Sequence, residues 1–454
     1  MRMIIVTLML LVLTVSCSIA AERPNIILIL ADDLGWADVG WHGTEIKTPN
    51  LDKLASQGVK LERFYVQPVC SPTRASLMTG RYPIRYGLQT GVIRPWADYG
   101  LPVEERTLAQ ALHDAGYFTA ICGKWHLGEC AKKFLPLQRG FDHHYGLYLG
   151  AIDYYEHTRD GGLDWHRNGQ PVREAGYSTD LLAEESVRII QKHDTQKPFF
   201  LYVPFNAVHG PYQKAPSTEQ NDLYNNLAGT EKRRTYAGMV STMDAAIGKI
   251  IAALDKKGMK ENTIIFFSSD NGGPDPKKVT DNGDLRAGKG TLYEGGVRVP
   301  AFVVWHGKIK PNTASEQPIH IVDLYPTLLK IAGASLEQKL PLDGIDIRET
   351  LLEGKPTSRT EILHNAESTR GALQNADWKI VLTNLDKAKQ TKKELFHLKD
   401  DPNEKNDLSA SQPEKLKELL ERYQEYVKQA VPPLNKQPQP ENYEPRKIWG
   451  DLNN

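Results

Sequence analysis

Cysteine is scarce in this sequence, with four residues in 454. So few cysteines exclude a protein stabilised by a framework of disulfides. Net charge is also absent, because 56 Lys and Arg balance 56 Asp and Glu, so the whole chain favours neither nucleic acid nor an anionic membrane surface. After the N-terminal segment, no apolar run reaches the about 20 residues that span a bilayer. Any preference for anions must therefore be local.

The first 21 residues are typical of a signal peptide. Arg2 gives a positive start, residues 3–15 are nearly all apolar, and Ser18 and Ala20 flank a small-residue cleavage site. We therefore expect the mature protein to be exported, to a periplasm or out of the cell. Lipoprotein anchoring at Cys17 is the alternative, but Thr14 stands where such a signal has leucine or a similar residue, so simple cleavage is favoured.

Four apolar runs have the length and the β-branched or aromatic content of buried strands. They cover residues 25–30, 117–121, 199–205 and 263–268. Helical patterns lie between them, the clearest over residues 236–254, where apolar residues recur every three or four positions. This alternation predicts an α/β fold with a large, mixed, mostly parallel sheet sandwiched by helices.

The pattern changes near residue 340, which predicts a second, smaller unit. Short polar segments over 378–383 and 394–398 precede a charged helical segment over 414–428. Since single cores stop growing at about 250–300 residues, a large domain plus a smaller one is expected at this length. We predict the large α/β domain over 22–340, a C-terminal α+β subdomain with a small antiparallel sheet and a helix over 341–430, and an extended surface tail over 431–454.

Polar side chains follow each of the four predicted strands. Open α/β sheets bind ligands beyond the carboxyl ends of their strands, so these side chains are expected at one rim. In chain order they are Asp32 and Asp33, then Lys124 and His126, then His209, and finally Asp270 and Asn271. Polar side chains after one strand could be there by chance, but chance does not easily explain polar side chains after all four strands.

Residues 70–81 read CSPTRASLMTGR. This segment resembles the sulfatase signature, Cys-x-Pro-x-Arg followed by Thr-Gly-Arg, of the formylglycine-dependent enzymes in the alkaline-phosphatase-like superfamily. The resemblance implies that a maturation enzyme oxidises Cys70 to formylglycine and that the protein is a sulfuric ester hydrolase. The alternative is an ordinary buried cysteine before a helix that begins near Pro72.

An aldehyde suits this chemistry because its hydrate carries two hydroxyls on one carbon. One hydroxyl attacks sulfur and displaces the alcohol, and the other, once deprotonated, expels sulfate by reforming the carbonyl. A serine would remain as a stable sulfate ester. A position at the start of a helix also favours an anion.

The pairs Asp32–Asp33 and Asp270–Asn271 offer hard oxygen ligands, which suit calcium or magnesium and not zinc. Asp32 and Asp33 alone would be read as a turn or a helix cap. The resemblance to sulfatases implies that these four residues and the oxygen of residue 70 bind one Ca²⁺. The ion would polarise the hydrate and hold a sulfate oxygen.

Sulfuryl transfer also needs positive charge around the sulfate and a proton for the leaving alcohol. The motifs around five residues resemble those of sulfatases. The resemblance implies that Arg74 and Lys124 orient the formylglycine and that His126 is the base that collapses the sulfate adduct. His209 and Lys289 would hold the sulfate and protonate the leaving oxygen. Singly, each could be an ordinary solvated or structural residue.

The resemblance extends from residue 23 to about residue 408 and is closest to the arylsulfatase B type, which removes 4-sulfate from N-acetylgalactosamine. It implies a sulfated carbohydrate substrate, such as a glycosaminoglycan or an algal galactan fragment. Asp153, Tyr154, Tyr155 and His157 are candidates for sugar contacts, with core packing as the alternative. Ala151 stands where that type tends to have serine, so the sugar pocket is expected to differ.

Two other functions are open to this sequence. A phosphate or phosphonate monoester hydrolase of the same superfamily would share the sheet and some of the cations, but such phosphatases usually carry two metals and a Ser or Thr nucleophile. A non-catalytic receptor for sulfated glycans would have lost at least one chemical group, yet every group named above is present.

Overall fold

The computed structural model describes residues 23–216, 218–435 and 438–451. The predicted signal peptide and Cys17 lie outside the described residues. The described strands are β1 (Asn25–Ala31), β2 (Val59–Leu61), β3 (Phe64–Tyr65), β4 (Phe118–Lys124), β5 (His143–Leu147), β6 (Thr158–Arg159), β7 (Gly162–Leu163), β8 (His166–Arg167), β9 (Gln170–Pro171), β10 (Phe199–Pro204), β11 (Thr263–Ser269), β12 (Ala301–Trp305), β13 (Thr313–Ser315), β14 (Ile319–His320), β15 (Glu361–Ala366), β16 (Arg370–Asn375), β17 (Trp378–Thr383) and β18 (Lys392–His397).

The described α-helices are α1 (Pro49–Ser56), α2 (Cys70–Thr79), α3 (Leu108–Asp114), α4 (Ser178–Lys192), α5 (Thr218–Asp222), α6 (Glu231–Lys256), α7 (Glu294–Val297), α8 (Leu324–Ile331), α9 (Arg348–Glu353) and α10 (Pro413–Lys428). Short 3-10 helices cover Gly40–His42, Pro83–Arg85, Lys132–Phe134, Pro136–Gln138, Ile321–Asp323 and Ala388–Gln390.

A ten-stranded sheet forms the centre of the large unit. Its strand order is β13-β2-β12-β11-β1-β10-β4-β5-β8-β9. The central strands β11, β1, β10, β4 and β5 pair in parallel, while β12, β8 and β9 add antiparallel partners. The predicted mixed, mostly parallel sheet is confirmed. These central strands consist mainly of buried apolar residues, which suits a sheet covered by helices on both faces.

Alternation along β1 assigns its side chains to two separate cores. Ile27 and Ile29 pack on the face covered by α1, α4 and α6. Ile26 and Leu28 pack on the other face, against α2, α3 and α8. Helix α6 is long and apolar enough to cross a membrane by composition, but 72% of its most apolar window is buried inside the fold, as expected of a core helix.

A four-stranded antiparallel sheet follows in the C-terminal region, with strand order β15-β16-β17-β18. Leu419 and Tyr423 of α10 are buried against Leu363, Leu373 and Ile380 of this sheet. Its other face packs near Tyr65 and α7, so the subdomain supports the loop that contains Lys289. The boundaries predicted for the domains stay predictions.

Residues 446–449, near the C-terminus, are well anchored. Trp449 is wholly buried, its Nε1 donates to the carbonyl oxygen of Arg159 at 2.9 Å, and Leu163 exchanges backbone hydrogen bonds with Lys447 and Trp449. Gly162 lies so close to this segment that a Cβ would be 1.9 Å from the carbonyl oxygen of Arg446. The tail therefore packs tightly against the β6–β7 hairpin.

Candidate active site

The four predicted strand ends meet at one rim of the central sheet. Strands β11, β1, β10 and β4 are consecutive neighbours and run in parallel. Their carboxyl ends therefore point to the same edge, where ligands bind in such sheets. Asp32 and Asp33 follow β1, Asp270 and Asn271 follow β11, and Lys124 ends β4. The topology brings together residues that are far apart in the chain: each paired residue of β1 is 238 positions from its partner on β11.

Cys70 is the first residue of α2 and lies at the centre of this rim. It is buried, and its Sγ lies 3.6 Å from Oδ1 of Asp32, 3.6 Å from Oδ1 of Asn271 and 3.7 Å from Nζ of Lys289. Burial and the charge of Asp270 raise the pKa of the Cys70 thiol to about 12. The side chain at position 70 thus emerges from a helix start into a ring of oxygens and cations.

The oxygen-bearing side chains form a compact buried group. Asn271 Nδ2 donates to Oδ1 of Asp33 at 2.8 Å, and the backbone N–H of Asp33 donates to Oδ1 of Asp270 at 3.3 Å. Asp33 has φ of 64°, a left-handed conformation that costs a non-glycine residue about 1–3 kcal/mol and concentrates at functional sites. Potential ligand atoms of Asp32, Asp33, Cys70 and His209 all lie within 4.8 Å of one another.

Two buried cations, Arg74 and Lys124, balance these carboxylates. Arg74 donates from Nε and Nη2 to Oδ2 of Asp270 at 3.0 and 2.8 Å, and from Nη1 to the carbonyl oxygen of Lys124. Lys124 Nζ lies 2.5 Å from Oδ2 of Asp32. Burial alone would raise the pKa of Asp32, but the charges of Lys124, His209 and Arg74 outweigh it and hold that pKa well below its usual range.

His126 has one ring nitrogen bonded and the other without a partner. Its Nε2 lies 3.0 Å from the carbonyl oxygen of Ile93, which accepts only, so Nε2 carries a proton. Nδ1 is buried and has no hydrogen-bond partner among the residues that the structure describes. Burial, Lys124 and Arg74 lower the pKa of His126 well below its usual value. A Cβ at Gly150 would be 2.4 Å from Cε1 of His126, so glycine is required there for this ring position.

His209 and Lys289 approach the acidic group from the solvent side. His209 Nδ1 lies 2.6 Å from the carbonyl oxygen of Gly210, so Nδ1 holds a proton and Nε2, 3.6 Å from Oδ2 of Asp33, faces the site. Lys289 Nζ lies 2.6 Å from Oδ1 of Asp33. The side chains of His209 and Lys289 keep 25% and 20% of their surface exposed, which leaves them accessible to an incoming anion.

Tyr154, one of the four residues predicted to contact sugar, is hydrogen-bonded to the site residue His209, and none of the four is among the residues that line the cavity at Cys70. Tyr154 and His157 are buried, and Tyr154 Oη donates to the carbonyl oxygens of Asn206 and His209, both at 2.8 Å. Asp153 accepts hydrogen bonds from the backbone of Tyr155 and from Gln213. Tyr155 is exposed. These contacts give Tyr154 a structural link to the His209 loop, and the sugar contacts stay predictions.

A cavity of about 240 Å³ opens onto Cys70, His126, His209 and Lys289. Its outer wall includes Arg94 and Arg159, which sequence reasoning missed. Arg94 lies in a loop and Arg159 ends the two-residue strand β6, and neither segment has a periodic pattern or a matching motif. Their only signal in the sequence is that they lie near segments with candidate site residues, such as the predicted sugar contacts before Arg159.

Comparison with known proteins places this geometry in a family. The Sulfatase family model matches residues 24–334, and a model described as N-sulphoglucosamine sulphohydrolase, C-terminal, matches residues 287–430. Arylsulfatase J of Mus musculus is 38% identical, with 90% of this chain and 77% of that protein covered. N-acetylgalactosamine-6-sulfatase of Mus musculus is 36% identical, with 75% and 68% covered.

Solved structures agree with the sequence matches. The crystal structure of Ps i-CgsB in complex with k-i-k-neocarrahexaose has a TM-score of 0.84 and 34% identity, covering 91% of this chain and 94% of that chain. The phosphonate monoester hydrolase of Agrobacterium radiobacter has a TM-score of 0.63 at 21% identity, covering 90% and 96%, which is a likeness of fold alone. The chain therefore belongs to the sulfatase family, and it is a sulfuric ester hydrolase.

Proposed function

We propose that this protein hydrolyses sulfate esters of a carbohydrate, with formylglycine at position 70 and one bound Ca²⁺. The observation that carries the proposal is the setting of residue 70. Its side chain leaves the start of α2 within 3.7 Å of Asp32, Asn271 and Lys289. A nucleophile placed between oxygen ligands and an ammonium group can meet a sulfate whose charge is already neutralised.

The donor set fits a hard divalent cation. Asp32, Asp33, Asp270 and Asn271 contribute carboxylate and amide oxygens, are all at most 3% exposed, and come from adjacent strands that fix their positions. Such an oxygen-only set favours Ca²⁺ over Zn²⁺. When bound, the ion supplies Lewis-acid polarisation and a fixed positive charge for one sulfate oxygen.

Formylglycine supplies a geminal diol, in which one hydroxyl takes the sulfuryl group and the other allows its release. Conversion of Cys70 depends on a maturation enzyme that must read the CSPTR segment before folding, since the cysteine is buried in the folded protein. An exported protein that is modified before it folds agrees with the signal peptide predicted over residues 1–21.

His126 is proposed as the base that receives a proton from the second hydroxyl. Its Nε2 is held by Ile93, and its buried Nδ1 is an unpaired acceptor in the wall of the same cavity as Cys70. Arg74 and Lys124 have no exposed surface and bind Asp270 and Asp32. They are proposed to fix the carboxylates and so the orientation of residue 70.

His209 and Lys289 are proposed to bind the sulfate and to protonate the leaving oxygen. Both line the cavity and both keep part of their surface exposed. Lys289 carries a compact positive charge, and His209 presents Nε2 because Nδ1 is bonded to Gly210. A protonated Nε2 can pass its proton to the alcohol oxygen as the bond to sulfur breaks.

A carbohydrate substrate is supported by the names of the similar proteins, which include N-acetylgalactosamine-6-sulfatase and a structure with a bound neocarrahexaose. The cavity of about 240 Å³ is smaller than the about 300–1,000 Å³ of drug-sized pockets, so it suits one sulfated sugar unit. Asp153 and Tyr155 remain the candidate sugar contacts that solvent can reach.

The test combines mass spectrometry with matched substrates. We expect a peptide containing residue 70 to have the lower mass of formylglycine and the protein to cleave sulfate monoesters faster than the matched phosphate monoesters. Cys70→Ala should abolish turnover, whereas the control Cys130→Ser, at a half-buried cysteine outside the cavity, should keep it. Unmodified Cys70 in a fully active sample, or faster cleavage of phosphate, would refute the proposal.

A further inference from the structure

We propose that Arg94 and Arg159 form a second anion subsite at the mouth of the cavity, so that the preferred substrate has another sulfate or a carboxylate beside the ester that is cleaved. The inference rests on the proposed function and adds the charge pattern of its substrate. The scissile sulfate is already matched by Lys289 and His209 deeper in the site. A further pair of guanidinium groups exceeds what one sulfate requires.

Arg94 has no carboxylate partner among the described residues. Its side chain is exposed, and its guanidinium carbon lies 6.0 Å from the ring centroid of Trp96. A stacked guanidinium keeps its N–H edges free for an oxyanion, because the contact uses only the flat face.

Arg159 also retains donor capacity. Its buried Nε lies 3.3 Å from Oδ1 of Asp160 in an ion pair but makes no hydrogen bond to a described residue. Both side chains of that pair are 38% exposed, so the attraction is weakened by water. Arginine binds sulfate and carboxylate oxygens with two parallel N–H groups, and Arg159 can offer such a fork.

The described wall of the cavity contains no Asp or Glu. The carboxylates Asp32, Asp33 and Asp270 lie beneath it and are paired with Lys124, Lys289 and Arg74. A substrate that enters from the mouth therefore meets cations first. A cleft of one charge sign raises the local concentration of the opposite ion.

Residues 434–435 and 443–449 near the C-terminus contact the two segments that contain Arg94 and Arg159. Leu434 N donates to the carbonyl oxygen of Gly87, and Asn435 Nδ2 donates to that of Thr90, so residues 434–435 bind the segment before Arg94. Tyr443 packs on Trp96 edge to face, with ring centroids 5.5 Å apart.

Trp449 holds β6, because its Nε1 donates to the carbonyl oxygen of Arg159 itself. Residues 434–435 and 443–449 thus contact both sides of the mouth. Prearranged donors bind an anion with less loss of conformational freedom than donors on free loops.

The experiment compares kcat/KM for galactan oligosaccharides of equal length with one or two sulfates per disaccharide, and for a monosulfated disaccharide with a uronate neighbour. An aryl sulfate serves as the monoanionic reference. We expect the wild type to prefer the dianionic sugars. Preference for the disulfated galactan assigns the subsite to sulfate, and preference for the uronate assigns it to a carboxylate.

Arg159→Gln should reduce that preference about tenfold and Arg94→Gln, being more exposed, about threefold. Lys192→Gln is the matched control, since Lys192 is exposed beside Phe118 at the opposite end of β4. If Arg159→Gln does not fold, the exposed Arg94→Gln still decides the test.

An equal kcat/KM for monoanionic and dianionic sugars in the wild type, or a preference that both arginine variants leave unchanged, would overturn the subsite. Failure of the proposed function gives a different result, namely no cleavage of the aryl sulfate or of any sulfated sugar by the wild type.

Discussion

Replacing Tyr154 with phenylalanine separates a structural role from a sugar contact. The Tyr154 hydroxyl is buried and donates to the carbonyl oxygens of Asn206 and His209. The oxygen of Asn206 keeps a second donor, the backbone N–H of His209, but the oxygen of His209 loses its described partner. An unpaired buried carbonyl costs about 1–3 kcal/mol, so we expect the free energy of unfolding to fall by about that amount.

The same substitution should lower turnover. The His209 loop loses its anchor, and a displacement of about 1 Å at a catalytic side chain can cost about 100-fold in rate. Urea unfolding and steady-state kinetics on an aryl sulfate, which has no sugar, measure both effects. We expect lower kcat on this substrate as well as on sulfated sugars.

Tyr202→Phe is the matched control. Tyr202 is equally buried, on β10, but its hydroxyl has no hydrogen bond, so its removal should change stability by less than about 1 kcal/mol. If Tyr154→Phe leaves stability and aryl sulfate turnover intact and raises only KM for sugars, Tyr154 is a sugar contact and its hydroxyl does not anchor the His209 loop.

Three further predictions concern the proton acceptor, the metal and a buried ion pair. The pKa of His126 is lowered well below its usual value, so the ring is neutral and Nδ1 can accept a proton at any pH above that lowered pKa. We therefore expect kcat to fall only when the pH drops well below about 6.5. A pH–rate profile with an acid limb centred near 7 that His126→Gln removes would contradict this. Chelation with EDTA should abolish turnover and lower the melting temperature. Added Ca²⁺ should restore both, and Zn²⁺ should not. Full activity after complete removal of divalent metal would contradict the proposed calcium site. Lys379→Met should destabilise the protein by about 3–5 kcal/mol, since Glu294 and Glu404 lose their buried partner. Lys392→Met should cost less than about 1 kcal/mol, because the Lys392 side chain is 55% exposed and its buried partner Glu394 keeps Arg286 and the Tyr293 hydroxyl. Equal melting temperatures for the two variants would contradict this expectation.

Much of the candidate site was predictable because its residues follow strands that the sequence reveals by itself. Within these runs, residues 26–30 and 264–267 are apolar at every position, which is typical of strands covered on both faces. Parallel pairing then places Asp32 and Asp270 at one edge. The fold class, the family and the class of reaction were all predicted from the sequence and are confirmed.

Other features could not be predicted because they depend on contacts between distant segments. Nothing near Tyr154 in the sequence indicates that its hydroxyl binds the His209 loop, and an aromatic cluster is equally typical of a core and of a sugar pocket. Arg94 lies in a loop and Arg159 in the two-residue strand β6, and such short segments have no periodicity that indicates which way a side chain points. Trp449 is likewise in a segment rich in Pro and Asn, which favoured a tail on the surface.

The sequence by itself determined the sheet, the nucleophile segment and the identity of the charged groups, because hydrophobic runs and the CSPTR segment are local patterns. The tertiary structure decided how those groups are paired. In the folded protein, Nδ1 of His126 has no hydrogen-bond partner among the described residues, and Nδ1 of His209 is bonded to Gly210. Asn435 and Trp449 contact the segments that contain Arg94 and Arg159 at the mouth of the cavity. The reason is physical: hydrogen-bond partners and burial are set by segments far apart in the chain, and only the packed fold brings them together.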